Sequence, residues 1–416
     1  MQQFSQYIRL AFTALKANKG RALLTTLGIM IGIMTVIVVF SLGHATQKMI
    51  TGELEAYGAN IVIVETKVPG FSDNSPAVAS AMAEGITVTT LTDDDMEEAL
   101  KIPGALDAYS GVIGLERVTS IYEDEQYMIQ ATSASFINID QGKVAEGRYF
   151  SEDEDQSLSR VAVLGYSAAQ ELFPDVDPIG QSLRMRGVNF KVIGVMEEMG
   201  MVFFQDMDNQ VYVPVTTMQK LVMGIDYLPY FVVQVESEEM ALLIKEDIIA
   251  MLDYRHDIAG PDRRDFRVTT MGEAMDMMSA VTGALEILLL VVAAISLIVG
   301  GVGVMNVMFV TVTERTREIG LRKAVGASQR AILYQFLFEA VMVTAVGGVI
   351  GVITGLSFVY LAIWGAQYGG LNVEFFIPVQ GVIIAVSAAV LEGIVFGLYP
   401  AQKAAKLNPI ESLRFE

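Results

Sequence analysis

The chain has no cysteine, one tryptophan and two histidines among its 416 residues. Without cysteine, its fold cannot use disulfide bonds, although a chain of this size can bury a sufficient core without them. The histidines, His44 and His256, are isolated from each other, and no HExxH, GxSxG or cysteine-based motif is present. These absences give no sign of a catalytic centre, and we expect no enzyme activity from this chain.

A nucleotide-binding loop and a calcium loop are also missing. The one Gly-Lys pair, Gly142-Lys143, is preceded at the position that a Walker A motif requires by Ile137 instead of glycine. Three acidic clusters are present, at Asp93–Glu98, Glu123–Glu125 and Glu152–Asp155. None has the alternating acids and central glycine of a calcium loop, so we interpret them as solvated faces and assign no metal. The chain is expected to bind no ATP by itself.

Long uncharged runs dominate the rest of the sequence. Hydrophobic residues make up 52% of the chain, yet it carries 48 acidic and 28 basic residues, so the two characters must be segregated. Four runs reach the roughly 20 residues that a bilayer-spanning helix needs. We predict transmembrane helices at 22–42, 284–312, 332–364 and 377–400. The first could instead be a signal peptide, but its apolar core is longer than the 7–15 residues expected of one, and three more spans follow.

Charge predicts the orientation. Basic residues exceed acidic ones by 12 to 4 in three segments: the N-terminal amphipathic segment 1–21, the loop 313–331 and the tail 401–416. Segment 43–283 holds 40 acidic and 16 basic residues instead. The positive-inside rule therefore places both termini and the 313–331 loop in the cytoplasm, and 43–283 outside, with a short external loop at 365–376. We expect a multi-pass protein of the cell (cytoplasmic) membrane that contacts the lipid bilayer and no nucleic acid.

The external segment has the pattern of a soluble α/β domain. Alternating apolar runs with turn residues between about 108 and 215 predict a β-rich insert, and a strand-helix-strand pattern resumes after it. Helices that continue the first and second spans outward would form a stalk, and residues 68–85 form a loop rich in proline, glycine and serine. The predicted fold class is an α-helical four-span membrane protein with a large α/β plus β-rich extracytoplasmic domain.

The loop between the second and third spans is densely charged, and it reads Thr313-Glu-Arg-Thr-Arg-Glu-Ile-Gly-Leu-Arg-Lys-Ala-Val-Gly-Ala-Ser328. Glu318 precedes Arg322 by four residues, which favours a helix, while Gly326 and Ser328 supply a stop and the next cap. A helix that only anchors the loop at the interface is the simpler interpretation. Its mixed charge and an apolar side made by Ile319 and Val325 favour a docking element for a soluble partner instead.

Small residues and intramembrane acids mark the spans. Glycines at GxxxG spacing let helix backbones approach closely, although this spacing does not establish a dimer. The candidate packing glycines are Gly28, Gly32, Gly300, Gly301, Gly347, Gly348, Gly351, Gly355, Gly393 and Gly397. Three acids lie at membrane level. Glu286 and Glu339 fall near span ends, where we expect them to reach the interface, whereas Glu392 lies deeper and is the one candidate for a role beyond packing.

Several motifs resemble those of MacB-type ABC exporter permeases, within the superfamily that includes the LolC/LolE lipoprotein-releasing subunits and the cell-division protein FtsX. The matching pieces are Ala294-Ile-Ser-Leu-Ile-Val-Gly-Gly-Val-Gly-Val-Met-Asn306, the charged loop from Val312 to Ala327, Phe338-Glu-Ala with Gly347-Gly348, and Tyr399-Pro-Ala-Gln-Lys-Ala-Ala405 through Pro409. They define an FtsX-like permease region at about 284–409. Glu146-Gly-Arg-Tyr-Phe150 and Asp177-Pro-Ile-Gly180 extend the likeness into the external segment.

The resemblance implies a homodimer whose external domain has porter and sabre-like parts. An ABC ATPase would dock under the membrane and bind the ATP and magnesium, so this chain would need no cofactor. Nucleotide-driven motion would reach the external domain by mechanotransmission. The residues that the resemblance assigns to ATPase coupling are Glu314, Arg315, Arg317, Glu318, Gly320, Arg322 and Lys323. Because only about 21 residues precede the first span, we expect the ATPase to be a separate subunit; an extracytoplasmic adaptor is a further candidate partner.

Two functions stay open at this point. The first is export of a peptide, a macrolide-like compound or a lipid-linked molecule. The second is an FtsX-like role without transport, in which the external domain regulates a cell-wall enzyme. The large two-part external domain and the glycines of the second span favour export. A sensor that has no ATPase is disfavoured by the charged loop, and the sequence does not identify a substrate.

Overall fold

The computed structural model describes residues 19–57, 60–69, 87–140, 142–202, 205–368 and 375–413. Most of the predicted N-terminal segment, nearly all of the 68–85 loop, the middle of the 365–376 loop and the last three residues of the tail lie outside this part of the chain. Two compact units are present: a membrane unit of Met1–Lys48, Ser279–Gly369 and Val373–Glu416, and an external unit that is mainly Met49–Met278.

Twelve helices are numbered here in chain order within the described residues. They are α1 (Lys19–Tyr57), α2 (Asp93–Ala99), α3 (Phe136–Ile139), α4 (Glu152–Gln156), α5 (Tyr166–Leu172), α6 (Val215–Thr217), α7 (Glu238–Arg255), α8 (Met271–Glu314), α9 (Thr316–Ala324), α10 (Gln329–Tyr368), α11 (Val379–Lys406) and α12 (Pro409–Leu413). A π-helical turn, Met218–Met223, follows α6, and a 3₁₀ turn, Pro261–Arg263, precedes the last strand.

Four helices in the described part of the chain are long and apolar enough to cross a membrane: α1, α8, α10 and α11. We call them spans 1 to 4. At 1.5 Å per residue the 44 residues of α8 extend about 66 Å, roughly twice the hydrocarbon thickness of a bilayer. The helix that enters span 2 and the span itself are therefore one continuous helix, as the sequence pattern predicts, and the four-span fold class is confirmed.

The membrane unit has its own apolar core. Ile29, Ile33 and Ile37 of span 1 are fully buried, and they pack with Phe336 and Ala340 of span 3 in one cluster. Their spacing of four residues places the three isoleucines on one face of α1. Burial of this face against the other helices orients span 1 within the unit.

The external unit is built on a mixed sheet of ten strands. The twelve strands of the described residues, ten in this sheet and two outside it, are β1 (Ile61–Thr66), β2 (Ala105–Thr119), β3 (Asp124–Thr132), β4 (Val144–Gly147), β5 (Val161–Leu164), β6 (Ser182–Met185), β7 (Val188–Met196), β8 (Met201–Val202), β9 (Gln205–Asp206), β10 (Gln210–Pro214), β11 (Tyr230–Val235) and β12 (Phe266–Thr270). The strand order is β12-β1-β11-β2-β3-β10-β5-β7-β4, with β6 against β2 and β7, while β8 and β9 form a separate ribbon.

The long strand β2 joins the predicted insert to the rest of the domain. Its first half pairs antiparallel with β11, with Val232 opposite Tyr109, and its outer half pairs with β3. Strands from 108–215 and strands from both flanking segments therefore share one sheet. The predicted segment boundary near 108 falls inside β2 and not at a break in the sheet.

Helix α2 shows how a local signal in the sequence specifies a contact in the external unit. The Asp95 carboxylate accepts hydrogen bonds from the backbone N–H of Thr92 at 2.9 Å and from its hydroxyl at 2.8 Å, which closes the N-terminus of the helix. The same carboxylate accepts a 2.6 Å bond from Arg255 at the end of α7. The predicted cap at Thr92 is present, and Asp95, which completes it, also links α2 to α7 through Arg255.

Candidate coupling site at the base of the spans

The charged loop forms a short helix between spans 2 and 3. Span 2 ends at Glu314, the backbone of Arg315 departs from helical geometry (φ −100°, ψ 14°), and α9 follows from Thr316 to Ala324. Gly326 has φ +103°, a conformation that residues with a Cβ rarely adopt, and it stops the helix. The Ser328 hydroxyl then accepts the backbone N–H of Ala331 at 3.2 Å in the first turn of span 3. The predicted stop and cap therefore lie where expected.

One face of α9 is exposed. Arg317, Leu321 and Val325 follow one another at a spacing of four residues, and Glu318 lies beside Arg317 on the same exposed side. Leu321 is 58% exposed and Val325 is 83% exposed. This face combines two apolar side chains with charges of both signs.

The opposite face of α9 points into the membrane unit. Ile319 is 2% exposed and packs in the core cluster of the spans, so the expectation that it belongs to an apolar docking side is wrong. The cause is the helical period, because Ile319 lies about 200° around the helix from Leu321. A Cβ on Gly320 would lie 2.6 Å from the Cβ of Ser412 in α12, so glycine permits close contact with the tail.

Two arginines of this segment bind span 3. Arg315 Nη1 donates to both carboxylate oxygens of Glu339, at 3.2 and 3.4 Å, and Arg322 Nη1 donates to Gln335 Oε1 at 2.7 Å. Gln335 in turn donates to Glu339 at 3.4 Å, while Arg322 also pairs with Glu318. Glu339 is 3% exposed. The expectation that Glu339 reaches the interface is therefore wrong, because its carboxylate is buried against Arg315.

Lysines connect the same region to span 4. Lys323 Nζ donates to the carbonyl oxygens of Ala405 at 2.8 Å and Leu407 at 2.5 Å, which lie at the end of α11. A cation at this end also interacts favourably with the helix dipole. Lys403 lies 5.1 Å from the ring centroid of Phe309 in span 2. The α9 segment thus contacts spans 3 and 4, and spans 4 and 2 contact each other beside it.

The seven predicted coupling residues divide into two groups. Arg317 and Glu318 are exposed to solvent, and Glu314 is exposed at the end of span 2. Arg315, Gly320, Arg322 and Lys323 instead contact other parts of the membrane unit. Their role in ATPase coupling stays a prediction. The first group lies on the exposed side of the segment, and Glu318 is also paired with Arg322.

The glycines of spans 1 and 3 pack against residues of their own membrane unit. Cβ atoms built on Gly347, Gly351 and Gly355 would lie 3.2, 2.8 and 3.0 Å from atoms of Ile29, Ile33 and Ile37 respectively. A Cβ on Gly28 would lie 3.0 Å from the Cα of Gly300, and one on Gly32 would lie 2.8 Å from Leu297. These GxxxG faces are used within one chain.

Span 4 approaches spans 2 and 3 in the same way. A Cβ on Gly393 would lie 2.7 Å from the Cα of Val341, and a Cβ on Gly348 would lie 2.9 Å from the Cβ of Ala389. Gly397 contacts Ala340, and Gly301 contacts the ring of Phe396. All ten candidate packing glycines therefore lie at close contacts of the membrane unit.

The remaining acids at membrane level have different surroundings. A carboxylate oxygen of Glu286 occupies the space that a Cβ on Gly43 would take, so these two residues are in direct contact. Glu392 is 5% exposed, and neither of its carboxylate oxygens has a hydrogen-bond partner among the described residues. It lies beside the crossing of spans 1 and 2, because its Oε1 is 3.2 Å from a Cβ built on Gly300.

Sequence reasoning missed Gln335 and Ser412, which complete the contacts of α9. Gln335 precedes Glu339 by four residues, a spacing that places both on one helical face and could have identified the pair. No local pattern marks Ser412, because its contact with Gly320 joins distant parts of the sequence. Among the described residues, no group of three or more potential ligands could hold a metal ion.

Comparison with known families gives two matches. The MacB-like periplasmic core domain family matches residues 22–250, which is more than half of the chain, and the FtsX-like permease C-terminal family matches residues 290–409. The second match contains α9 and spans 3 and 4, and the first contains span 1 and most of the external unit.

Curated relatives align over the whole chain. It is 34% identical over 418 residues to the macrolide export ATP-binding/permease protein MacB of Bdellovibrio bacteriovorus, and 36% identical over 417 residues to that of Azoarcus sp.. Each alignment covers 100% of this chain but only 62% and 60% of the respective relatives. The chain therefore spans about three fifths of the length of these relatives.

Solved structures also resemble it. The periplasmic region of MacB from Actinobacillus actinomycetemcomitans has a TM-score of 0.46 at 15% identity, covering 55% of this chain and 97% of that one. The extracellular domain of the ABC-type transporter YknZ from Gram-positive bacteria has a TM-score of 0.41 at 18% identity, covering 51% and 100%.

Proposed function

The chain belongs to the family in which a MacB-like periplasmic core domain is combined with an FtsX-like permease region, and from this premise we propose that it is the membrane part of an ABC exporter. It is a multi-pass membrane protein with a large segment outside the membrane. An ABC ATPase binds ATP and magnesium, and this chain converts the hydrolysis of that ATP into movement of its external unit. The observation that carries the proposal is the exposed, mixed-charge face of α9.

The docking surface for the ATPase is the face formed by Arg317, Glu318, Leu321 and Val325. Its apolar side chains supply area that is buried on contact, and its charges set register and partner choice. A helix that served only to anchor the loop in lipid would not need an acid on this face. The inward contacts of α9 hold this surface in a fixed position, which favours a docking role.

The orientation follows from charge. Both termini and α9 lie in the cytoplasm, where the basic residues are concentrated, and the acidic external unit lies outside. The relatives are described as macrolide export proteins, and we propose a peptide, macrolide-like or lipid-linked substrate for this chain. We further propose a homodimer, with an extracytoplasmic adaptor as an additional partner. The packing glycines already contact residues of their own chain, so the dimer would use other faces of the spans.

A regulatory function is the second candidate. The FtsX-like match covers 290–409, the region that would receive the ATPase in either case. In this alternative the external unit would control a cell-wall enzyme instead of moving a substrate. Export and regulation share the cytoplasmic half of the mechanism, so they differ only in what contacts the external unit.

The test is reversal of the exposed face. Arg317→Glu and Leu321→Asp should each reduce association of the full chain with the ABC ATPase proposed as its partner, because they remove a charge and an apolar contact from the surface. The measurement is the ratio of the two proteins after co-purification from membranes, together with ATP turnover.

Arg160→Glu is the matched control. Arg160 is exposed before β5 in the external unit, on the other side of the membrane in the proposed topology, so the same change of charge should leave association intact. Equal association for Arg317→Glu, Leu321→Asp and the control would contradict the docking surface.

A further inference from the structure

An ion pair between Arg315 and the buried Glu339 lies at the N-terminal end of α9. We propose that it is a positioning pair that fixes α9 to span 3, so that force applied to α9 moves the spans and does not merely tilt the loop. This inference depends on the proposed function, because it concerns how docking is converted into movement. It assigns Arg315 a role in transmitting movement from α9 to span 3 and not in contacting the ATPase.

Helix α9 is attached to span 3 at both of its ends. Arg315 precedes the first residue of the helix and binds Glu339, while Arg322 in its last turn binds Gln335. Gln335 and Glu339 are four residues apart on span 3 and are hydrogen-bonded to each other. Two attachments along one face prevent α9 from pivoting about either one.

A third attachment joins α9 to the base of span 4. Lys323 donates to two carbonyl oxygens at the end of α11, and Gly320 lies against Ser412 of α12. Helix α9 is therefore attached to both span 3 and span 4, and we call α9 with these attachments the bracket. A displacement of this bracket therefore displaces both span ends together.

The geometry of the Arg315–Glu339 pair favours positioning over stability. Only one guanidinium nitrogen reaches the carboxylate, at 3.2 and 3.4 Å, whereas strong charge-assisted pairs are bidentate and lie near 2.7–2.9 Å. Buried ion pairs of imperfect geometry add little stability compared with apolar residues of similar volume. In this proposal the pair defines one arrangement of α9 against span 3, since the buried Glu339 carboxylate would be costly without its partner.

The first experiment compares Arg315→Gln, Glu339→Gln and the charge swap Arg315→Glu with Glu339→Arg. Each full chain is reconstituted in nanodiscs with the ABC ATPase proposed as its partner, and hydrogen exchange of the external unit is measured with and without ATP and vanadate. The parent chain should show an ATP-dependent change in the external unit. Both single variants should lose this change while still associating with the ATPase, and the swap should restore it.

Controls separate this inference from the proposed function. Arg330→Gln removes an exposed arginine in the first turn of span 3 and should leave the response intact. If the parent shows no ATP-dependent response, the proposed function fails. If either single variant keeps the full response, or if the swap does not restore it, the positioning pair is contradicted. Loss of ATPase association in both singles and in the swap would mean that Arg315 contacts the ATPase directly.

The second experiment tests the bracket without disturbing the ion pair. The chain contains no cysteine, so Gly320→Cys and Ser412→Cys introduce one defined disulfide. The two positions are close, and their contact must open by about 1 Å to accept the Cβ separation of a disulfide. If α9 and the tail move as one body, the oxidised chain should keep its ATP-dependent response. Loss on oxidation with recovery on reduction would show that they move apart, which overturns the inference.

Discussion

At the scale of single residues, the external unit buries an acid that favours a neutral form. Asp140 is 9% exposed in an aromatic cluster with Phe136, and the hydroxyl of Tyr109 donates to both of its carboxylate oxygens at 3.2 and 3.1 Å. Burial raises the pKa of Asp140 from 3.8 to about 7, and the bond from Tyr109 opposes this shift. At neutral pH the Asp140 carboxyl group is therefore close to the midpoint of its titration.

The raised pKa makes stability depend on pH. The folded state binds the proton more tightly than the unfolded chain, so folding loses stability as pH rises from about 4 to about 7 and levels off above the folded pKa. A shift of about three units corresponds to at most about 4 kcal/mol. Asp140→Asn removes the ionisable group, and we expect a gain of about 1–3 kcal/mol at pH 8, since the amide adds donors that need partners.

The measurement is the urea midpoint of the external unit in the full chain, followed by pulse proteolysis at pH 5 and pH 8. The difference between Asp140→Asn and the parent should be larger at pH 8. Asp153→Asn, at an exposed position, is the control and should follow the parent. An Asp140→Asn variant that is less stable than the parent at pH 8, or a difference between the two that is no larger at pH 8 than at pH 5, would contradict this interpretation.

At the scale of helices, the buried acid Glu392 near the crossing of spans 1 and 2 allows a test between an ATP-driven membrane unit and an ion-coupled one. Glu392 lies beside this crossing with both oxygens unpartnered in the described part of the chain. Glutamine has nearly the same shape, and no hydrogen bond to the described residues is lost on substitution. Glu392→Gln should therefore keep the ATP-dependent response of the external unit, in contrast to Glu339→Gln.

The experiment measures that response in membranes with the proton gradient collapsed by an uncoupler. An ATP-driven exporter keeps its activity in both the parent and the Glu392→Gln variant. In an ion-coupled carrier, an amide at this position could not exchange a proton. Loss of the response in the variant, together with sensitivity of the parent to the uncoupler, would count against the ABC mechanism.

The same helices show what a sequence can specify. Glycine spacing, the stop at Gly326 and the cap at Ser328 are local signals, and each occurs in the structure where the sequence predicts it. The inward orientation of Ile319 and the burial of Glu339 were mispredicted. Both depend on which face of α9 packs against span 3. That packing joins separate segments of the chain, and charge and hydropathy patterns alone do not predict it.

At the scale of the whole molecule, segregation of charge and apolar runs was enough to predict four spans and a large sheet-rich domain. The continuous sheet was not predictable in detail, because β2 and β11 are separated by more than a hundred residues in the sequence and are neighbours in space. Pairing over that distance is set by the burial of both strands in one core and not by a turn between them. The family matches independently support the same two-part organisation.

The central claim is that α9 faces the cytoplasm while the external unit faces the opposite side of the membrane. Single cysteines at Ser182 in β6 and at Ala324 in α9 test it directly, because both positions are exposed and the chain has no other cysteine. In intact cells, a membrane-impermeant thiol reagent should label the first and spare the second until the membrane is permeabilised. Labelling of Ala324→Cys in intact cells with Ser182→Cys unreactive would contradict the account.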